Sequence, residues 1–295
     1  MPASNGVSRP AFVSVLAEGN AKVVSVKICG ITSPKDAEMC VAAGARALGF
    51  VFYGKDPRAI SPARAGEICR MLPGHVRTVG VFVNARRDVI EEICDRAGLD
   101  MVQLAGDEPP EECRTLTRKV VKVFRPACEK DLAPIARYAE CSAYLIDTPV
   151  RGHATGSAWP VEWAYARRAK QFRKPIILGG ALNAANVAPA LRKVDPAAID
   201  VCAGVESEPG VKDPRRVRAL FEALWRYDDE VRQGSVRKAA PVAFGGRQVA
   251  FVSEPPARSA APTAGPEPAE AAESEEPPLM DIRPGGLAGG EEASL

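Results

Sequence analysis

The sequence predicts an α/β protein built as a closed (β/α)8 barrel, and three observations predict it. Apolar runs of five to eight residues alternate with amphipathic segments of about ten, eight times over, between residues 23 and 227. The runs are almost continuously apolar, as strands are when a sheet is covered on both faces. Strict strand-then-helix order implies parallel pairing, and eight such units are the count of a closed barrel. An open doubly wound sheet usually leads from its first strand into a G-x-G-x-x-G turn, and Cys29-Gly30-Ile31-Thr32 is not one.

In chain order, residues 1–22 are weakly patterned and are expected to form a mobile N-terminal extension. Strands are expected at Val23–Gly30, Ala47–Tyr53, Thr78–Asn84, Met101–Gly106, Val120–Arg125, Ala143–Thr148, Pro175–Gly180 and Ala198–Val205. Helices are expected near 34–43, 62–72, 86–97, 109–118, 131–139, 161–170, 184–193 and 214–226. Pro34, Pro62, Pro109 and Pro214 stand at or near helix starts, where a missing N–H costs nothing. After Tyr227 the pattern stops. Residues 228–295 are rich in Pro, Ala, Gly and Glu, and too little apolar surface is present to offset the entropy of ordering them. They are expected to be a disordered acidic tail, with Phe244–Phe251 as its one apolar stretch. Residues 23–227 are thus expected to be a single barrel domain.

The chain carries a net charge of +2, unevenly spread. Residues 228–295 hold six Lys/Arg against twelve Asp/Glu, which leaves the body clearly basic. Such a body suits an anionic small molecule. Its charges are too dispersed for nucleic acid, which is not expected as a partner. The eight cysteines show no C-x-x-C pair and no metal-type spacing with His75 or His153, so reduced thiols in a cytoplasmic protein are expected, with no metal and no cofactor. No apolar stretch reaches the length of a membrane span, and no secretory signal is visible.

In such barrels chemistry sits at the C-terminal ends of the strands. Strand one ends in Lys27-Ile28-Cys29-Gly30, which puts Lys27 and Cys29 on one face. A neighbouring cation lowers a thiol's pKa and favours thiolate, a base or nucleophile. Strand six ends in Asp147 behind Ala143-Tyr144-Leu145-Ile146. Partial burial there would raise its pKa and let it hold a proton as a general acid. Strand six is three steps from strand one, so Cys29 and Asp147 are expected to face each other across the mouth. Gly180-Ala181 after strand seven and Ala203-Gly204 after strand eight let backbone amides approach an anion, at the usual phosphate position of these barrels. Arg58 follows strand two and can fork onto a carboxylate. Pro149–Pro160 is a candidate lid.

Lys27-Ile28-Cys29-Gly30-Ile31-Thr32, Leu48-Gly49-Phe50-Val51-Phe52, Pro57-Arg58, Val79-Gly80-Val81-Phe82-Val83-Asn84, Val102-Gln103-Leu104, Gly106-Asp107-Glu108, Asp147, Asp200-Val201, Gly204-Val205-Glu206 and Lys212-Asp213-Pro214 resemble the phosphoribosylanthranilate isomerase family of tryptophan biosynthesis. The resemblance covers about residues 23–226. It implies a TIM barrel, an Amadori rearrangement of N-(5-phosphoribosyl)anthranilate, and no cofactor. It implies Cys29 as general base and Asp147 as general acid. It further implies Arg58 on the anthranilate carboxylate, Lys27 beside the substrate, and phosphate on the amides of Gly180, Ala181, Ala203 and Gly204. The chain departs from the family at Ala105, where a histidine is frequent, at Ser33, at Ala181, and at Cys202-Ala203, where a serine pair is usual. Two other readings fit the same residues. One is a non-catalytic phosphometabolite-binding barrel. The other is a related aminoaldose–ketose phosphosugar isomerase, which resembles a pair of aspartates and is disfavoured by Cys29. Whether the protein is a monomer or a homodimer is not set by the sequence.

Overall fold

Residues 24–147 and 160–234 are described by a computed structural model of the chain. The expected N-terminal extension, the tail beyond residue 234 and residues 149–159 of the candidate lid lie outside the described residues. Eight strands follow one another in order: β1 (Ser25–Ile28), β2 (Ala47–Val51), β3 (Arg77–Phe82), β4 (Met101–Leu104), β5 (Lys119–Phe124), β6 (Ala143–Ile146), β7 (Ile176–Leu178) and β8 (Ala198–Val201). Each pairs in parallel with the next, and β8 pairs with β1, which closes the barrel. The expected fold class is therefore the observed one.

The register sorts the side chains into two sets. Lys27 lies level with Ala47 on one side and Asp200 on the other. The same inward set runs on through Val79, Met101, Val121 and Ala143. These fill the barrel interior, with Leu145, Ile177 and Ala198. The intervening residues, such as Ile28, Leu48, Phe82, Tyr144 and Ile146, pack outward against the helices in the larger apolar layer. Burial on both faces is the reason the strands read as continuous apolar runs.

The helices are α1 (Pro34–Ala43), α2 (Pro62–Met71), α3 (Arg87–Ala97), α4 (Pro110–Thr115), α5 (Pro160–Ala169), α6 (Val187–Val194) and α7 (Pro214–Arg232). Ser33, Ser61 and Asp213 cap α1, α2 and α7 by accepting first-turn amides. Four expectations need correction. The fifth helical segment, Glu129–Tyr138, is a 3-10 helix. Pro134 lies inside it, and a proline there removes an amide donor and clashes with the turn before it. The fourth helix is short, ending at Thr115. α6 starts at Val187 because Asn183 and Asn186 fold residues 183–186 into a side-chain-bonded turn, with Asn183 N donating to Asn186 Oδ1 at 2.7 Å and Ala185 N to Asn183 Oδ1 at 2.9 Å. α7 continues past the expected boundary at 227 to Arg232, because Tyr227 and Asp228 are still buried and Arg232 pairs with Asp228 one turn back. A two-stranded hairpin, β9 (Glu206–Glu208) and β10 (Val211–Lys212), was not expected; it turns through Gly210 at φ 86°.

Candidate active site

Strand β1 delivers Lys27 and Cys29 to the interior, and Gly49 of β2 makes room for both. A Cβ on Gly49 would lie 2.8 Å from Cys29 Sγ and 2.9 Å from Lys27 Nζ. The same-face pairing expected from the sequence is therefore present. Lys27 is only 3% exposed, and its ammonium donates to Asp200 Oδ1 at 2.9 Å. That places Lys27 beneath the mouth, inside a buried ion pair. Burial opposes its charge, but Asp200 and Cys29 outweigh this and hold its pKa above the ordinary lysine value.

Cys29 sits at the top of the interior with Val51 and Val81, and Cys202 packs against them. The Cys202 thiol packs against Cys29, and its Sγ also lies 3.7 Å from Glu206 Oε1, a second acceptor for its single proton. Its hydrogen bond to the Cys29 sulfur brings the Cys29 pKa down to about 7; burial acts the other way, and the Lys27 charge assists. Cys202 is pushed up by the same contact, so Cys29 is the thiol that ionises first.

Asp147 closes β6. Its amide donates to Phe124 O at 2.9 Å, and its Oδ1 leans over Gly179 of the β7 end. Oδ2 accepts from Arg125 Nε at 3.0 Å, while Arg125 Nη1 donates to Ala105 O at 3.0 Å. Burial raises the Asp147 pKa, Arg125 offsets part of the rise, and the negative charge of Asp200 adds to it. Asp200 and Lys27 thus act electrostatically on both Cys29 and Asp147, from the level below them.

The loops after β7 and β8 are in close contact. A Cβ on Gly204 would lie 1.9 Å from Leu182 O, so only glycine fits there. Gly180 takes φ 96°. The turn bonds are donated by Leu182 to Gly180 O at 2.6 Å and by Val205 to Cys202 O at 3.2 Å.

Arg58 is not an unengaged fork. Its Nε and Nη2 donate to the Glu206 carboxylate at 2.7–3.1 Å, and Nη1 meets Asp56 at 3.3 Å. Its aliphatic stem lies on Gly30, where a Cβ would come within 2.6 Å of Arg58 Cδ. Glu206 also accepts from the fully buried Lys212 at 2.7 Å, and Lys212 donates to Cys29 O at 2.5 Å. The hairpin that was not expected therefore carries the residues that fasten the backbone of Cys29.

Sequence reasoning missed Asp200, Cys202, Arg125 and the Glu206–Lys212 pair as site residues. Asp200 and Cys202 had a readable signal, since they continue the period of two set by Ala198. Arg125 likewise follows Val121 and Val123 on the inward face.

The family described as N-(5'phosphoribosyl)anthranilate (PRA) isomerase matches residues 26–223. A curated relative, the N-(5'-phosphoribosyl)anthranilate isomerase of Citrifermentans bemidjiense, is 47% identical over 199 residues, covering 68% of this chain and 96% of its own. The crystal structure of phosphoribosyl anthranilate isomerase from Thermotoga maritima superposes with a TM-score of 0.64 at 38% identity, covering 69% of this chain and 99% of that one. A phosphoribosyl anthranilate isomerase crystallised with reduced 1-(o-carboxyphenylamino)-1-deoxyribulose 5-phosphate superposes with a TM-score of 0.62 at 36% identity, again covering 69% and 99%.

Proposed function

The chain belongs to the N-(5'-phosphoribosyl)anthranilate isomerase family, and from that premise we propose how its own residues carry the reaction. The enzyme converts N-(5-phosphoribosyl)anthranilate to 1-(2-carboxyphenylamino)-1-deoxyribulose 5-phosphate in tryptophan biosynthesis. The barrel domain, residues 23–227 with the continuation of α7 to Arg232, carries this activity.

Protonated Asp147 donates to the ribose ring oxygen. The C1–O bond breaks, the anthranilate nitrogen's lone pair forms a Schiff base at C1, and Asp147 is left as carboxylate. The Cys29 thiolate then takes the proton from C2, and the electron pair of that bond neutralises the Schiff base to an enolamine. Tautomerisation moves a proton onto C1 and one off the C2 hydroxyl, which gives the ketone and restores both groups. Only protons move, so general acid–base groups of opposite protonation are what the site must supply.

The observation that carries this reading is the Lys27–Asp200 pair beneath both groups. The Cys202 hydrogen bond and then Lys27 favour thiolate at Cys29, where Asp200 opposes them, while burial and then Asp200 favour the protonated acid at Asp147, where Lys27 opposes them. Lys27 is assigned to tuning Cys29 rather than to touching substrate. The substrate phosphate rests on the amides of Gly180, Ala181, Ala203 and Gly204. Arg58 Nη1, engaged only by partly exposed Asp56, receives the anthranilate carboxylate. The partner is thus an anionic small molecule. Among the described residues no helix is long and apolar enough to cross a membrane. Among the described residues no cysteine is joined in a disulfide, in keeping with a cytoplasmic setting.

Loss of substrate fluorescence tests the assignment. Wild-type turnover with inactive but folded Cys29→Ala and Asp147→Asn supports it; either variant retaining full kcat overturns that residue's role.

A further inference from the structure

In the proposed mechanism Cys29 moves the proton and Cys202 serves only as its hydrogen-bond partner. Yet the two thiols hold adjacent positions on paired strands. Ile28 lies level with Val201, and Cys29 N donates to Val201 O at 2.9 Å, so Cys29 and Cys202 stand side by side at the strand ends. Both project into the mouth and share one apolar cluster with Val51 and Val81. Neighbouring strands are spaced by roughly 4.8 Å, inside the ~4.4–6.8 Å range of Cα separations that a disulfide spans. Cys113 and Cys141 also lie together, but both are buried under the helices and closed to a reagent. Cys29 is itself only 7% exposed, but it lies at the open end of the barrel, where substrate must reach it, beside the partly exposed Cys202.

We propose that Cys29 and Cys202 form an oxidation site, which a hydroperoxide converts to an intramolecular disulfide that switches the catalytic base off and which a thiol reductant restores. The proposal rests on the reading of Cys29 as base. In the first step the Cys29 thiolate attacks the peroxide oxygen. The S–O bond forms, the O–O bond breaks, and the alkoxide takes a proton and leaves as alcohol, or as water when the oxidant is hydrogen peroxide. Sulfur is oxidised to sulfenic acid and the peroxide is reduced. In the second step Cys202 attacks that sulfur. The S–S bond forms, the S–O bond breaks, and the departing hydroxide takes the Cys202 proton to leave as water. The Lys27 ammonium beside Cys29 favours its thiolate and makes it the attacking thiol, and Cys202, next to it on the paired strand, is placed to resolve. Further oxidation of Cys29 to sulfinic acid, which a thiol reductant does not reverse, is thereby intercepted.

The full-length protein, native and substrate-free, is treated with hydrogen peroxide, blocked with an alkylating agent and mapped by peptide mass spectrometry, with turnover measured in parallel. The expected result is a linked Cys29–Cys202 peptide whose fraction matches the fraction of activity lost, both reversed by dithiothreitol. In Cys202→Ser the link cannot form, so excess peroxide should carry Cys29 on to sulfinic acid, and the fraction of lost activity that dithiothreitol does not restore should rise above that of the wild type. Oxidised Cys29 without a link to Cys202 in the wild type overturns the proposal, whatever the activity. A link that forms with no loss of turnover leaves the pairing standing and overturns instead the reading of Cys29 as base.

Discussion

Replacing Lys27 with methionine removes the cation beneath Cys29 while keeping most of the side-chain volume. A Cβ on Gly49 would touch both groups, so Lys27 Nζ and Cys29 Sγ are no more than about 6 Å apart. At about 5 Å and an effective dielectric of ~20, one unit charge is worth ~3 kcal/mol, or about two pKa units at ~1.36 kcal/mol each. Cys29 then titrates near ~9 rather than about 7. At pH ~7 its thiolate fraction falls from about one half to about one hundredth, so kcat/KM falls roughly fifty-fold. The sign fixes the pH dependence. A base whose pKa has risen recovers as pH rises, so the deficit against wild type should shrink steadily above neutrality and nearly vanish at pH ~10. Lys27 also acts on Asp147, so thiolate ultraviolet absorbance, measured against Cys29→Ala, is followed alongside fluorescence turnover to read Cys29 alone. Asp200 is left unpaired in this variant. The Lys27→Met/Asp200→Asn double variant therefore serves as the control for folding. A deficit that does not change with pH, or a Cys29 thiol still titrating near 7 in Lys27→Met, would refute the electrostatic account.

Three further outcomes are expected. Gly49→Ala should lower kcat at least tenfold with only a modest loss of stability, because its Cβ displaces Cys29 Sγ and Lys27 Nζ and not backbone; steady-state kinetics with thermal melting separates the two effects. Lys122→Met should destabilise the barrel by about 3–5 kcal/mol, read by urea unfolding. Lys122 is 2% exposed, and its loss strands the fully buried Glu108, which it meets at 2.8 Å. Arg125→Met should raise the Asp147 pKa further, since the guanidinium stabilises the carboxylate; Arg125 is half exposed, so solvent screening keeps the change small, visible by carboxyl NMR titration as a proton held to higher pH.

The barrel was legible because its strands are buried on both faces and its helices open on proline and capping serines, and both are local signals. Cys29 and Asp147 were legible because position at a strand's end has a fixed meaning in this architecture. Their electrostatic partners were not, because they come from other strands. Lys27 meets Asp200 across 173 residues, and Lys212 meets Cys29 O across 183. Such pairs are set by the register of barrel closure, not by local spacing. Arg58 shows the same limit. The sequence placed it after strand two, but not against Glu206, which takes most of its fork. The 3-10 segment at Glu129–Tyr138 was in principle readable from Pro134, since apolar periodicity alone does not separate a 3-10 turn from an α-helix.

The most direct test of two facing proton-transfer groups is a crystal structure of this protein with reduced 1-(o-carboxyphenylamino)-1-deoxyribulose 5-phosphate bound. The phosphate is expected on the loops after β7 and β8, with Cys29 Sγ about 3–3.5 Å from the sugar C2 and Asp147 at similar range from the oxygen that was in the ring. A ligand bound with either side chain out of reach of those atoms would contradict that expectation.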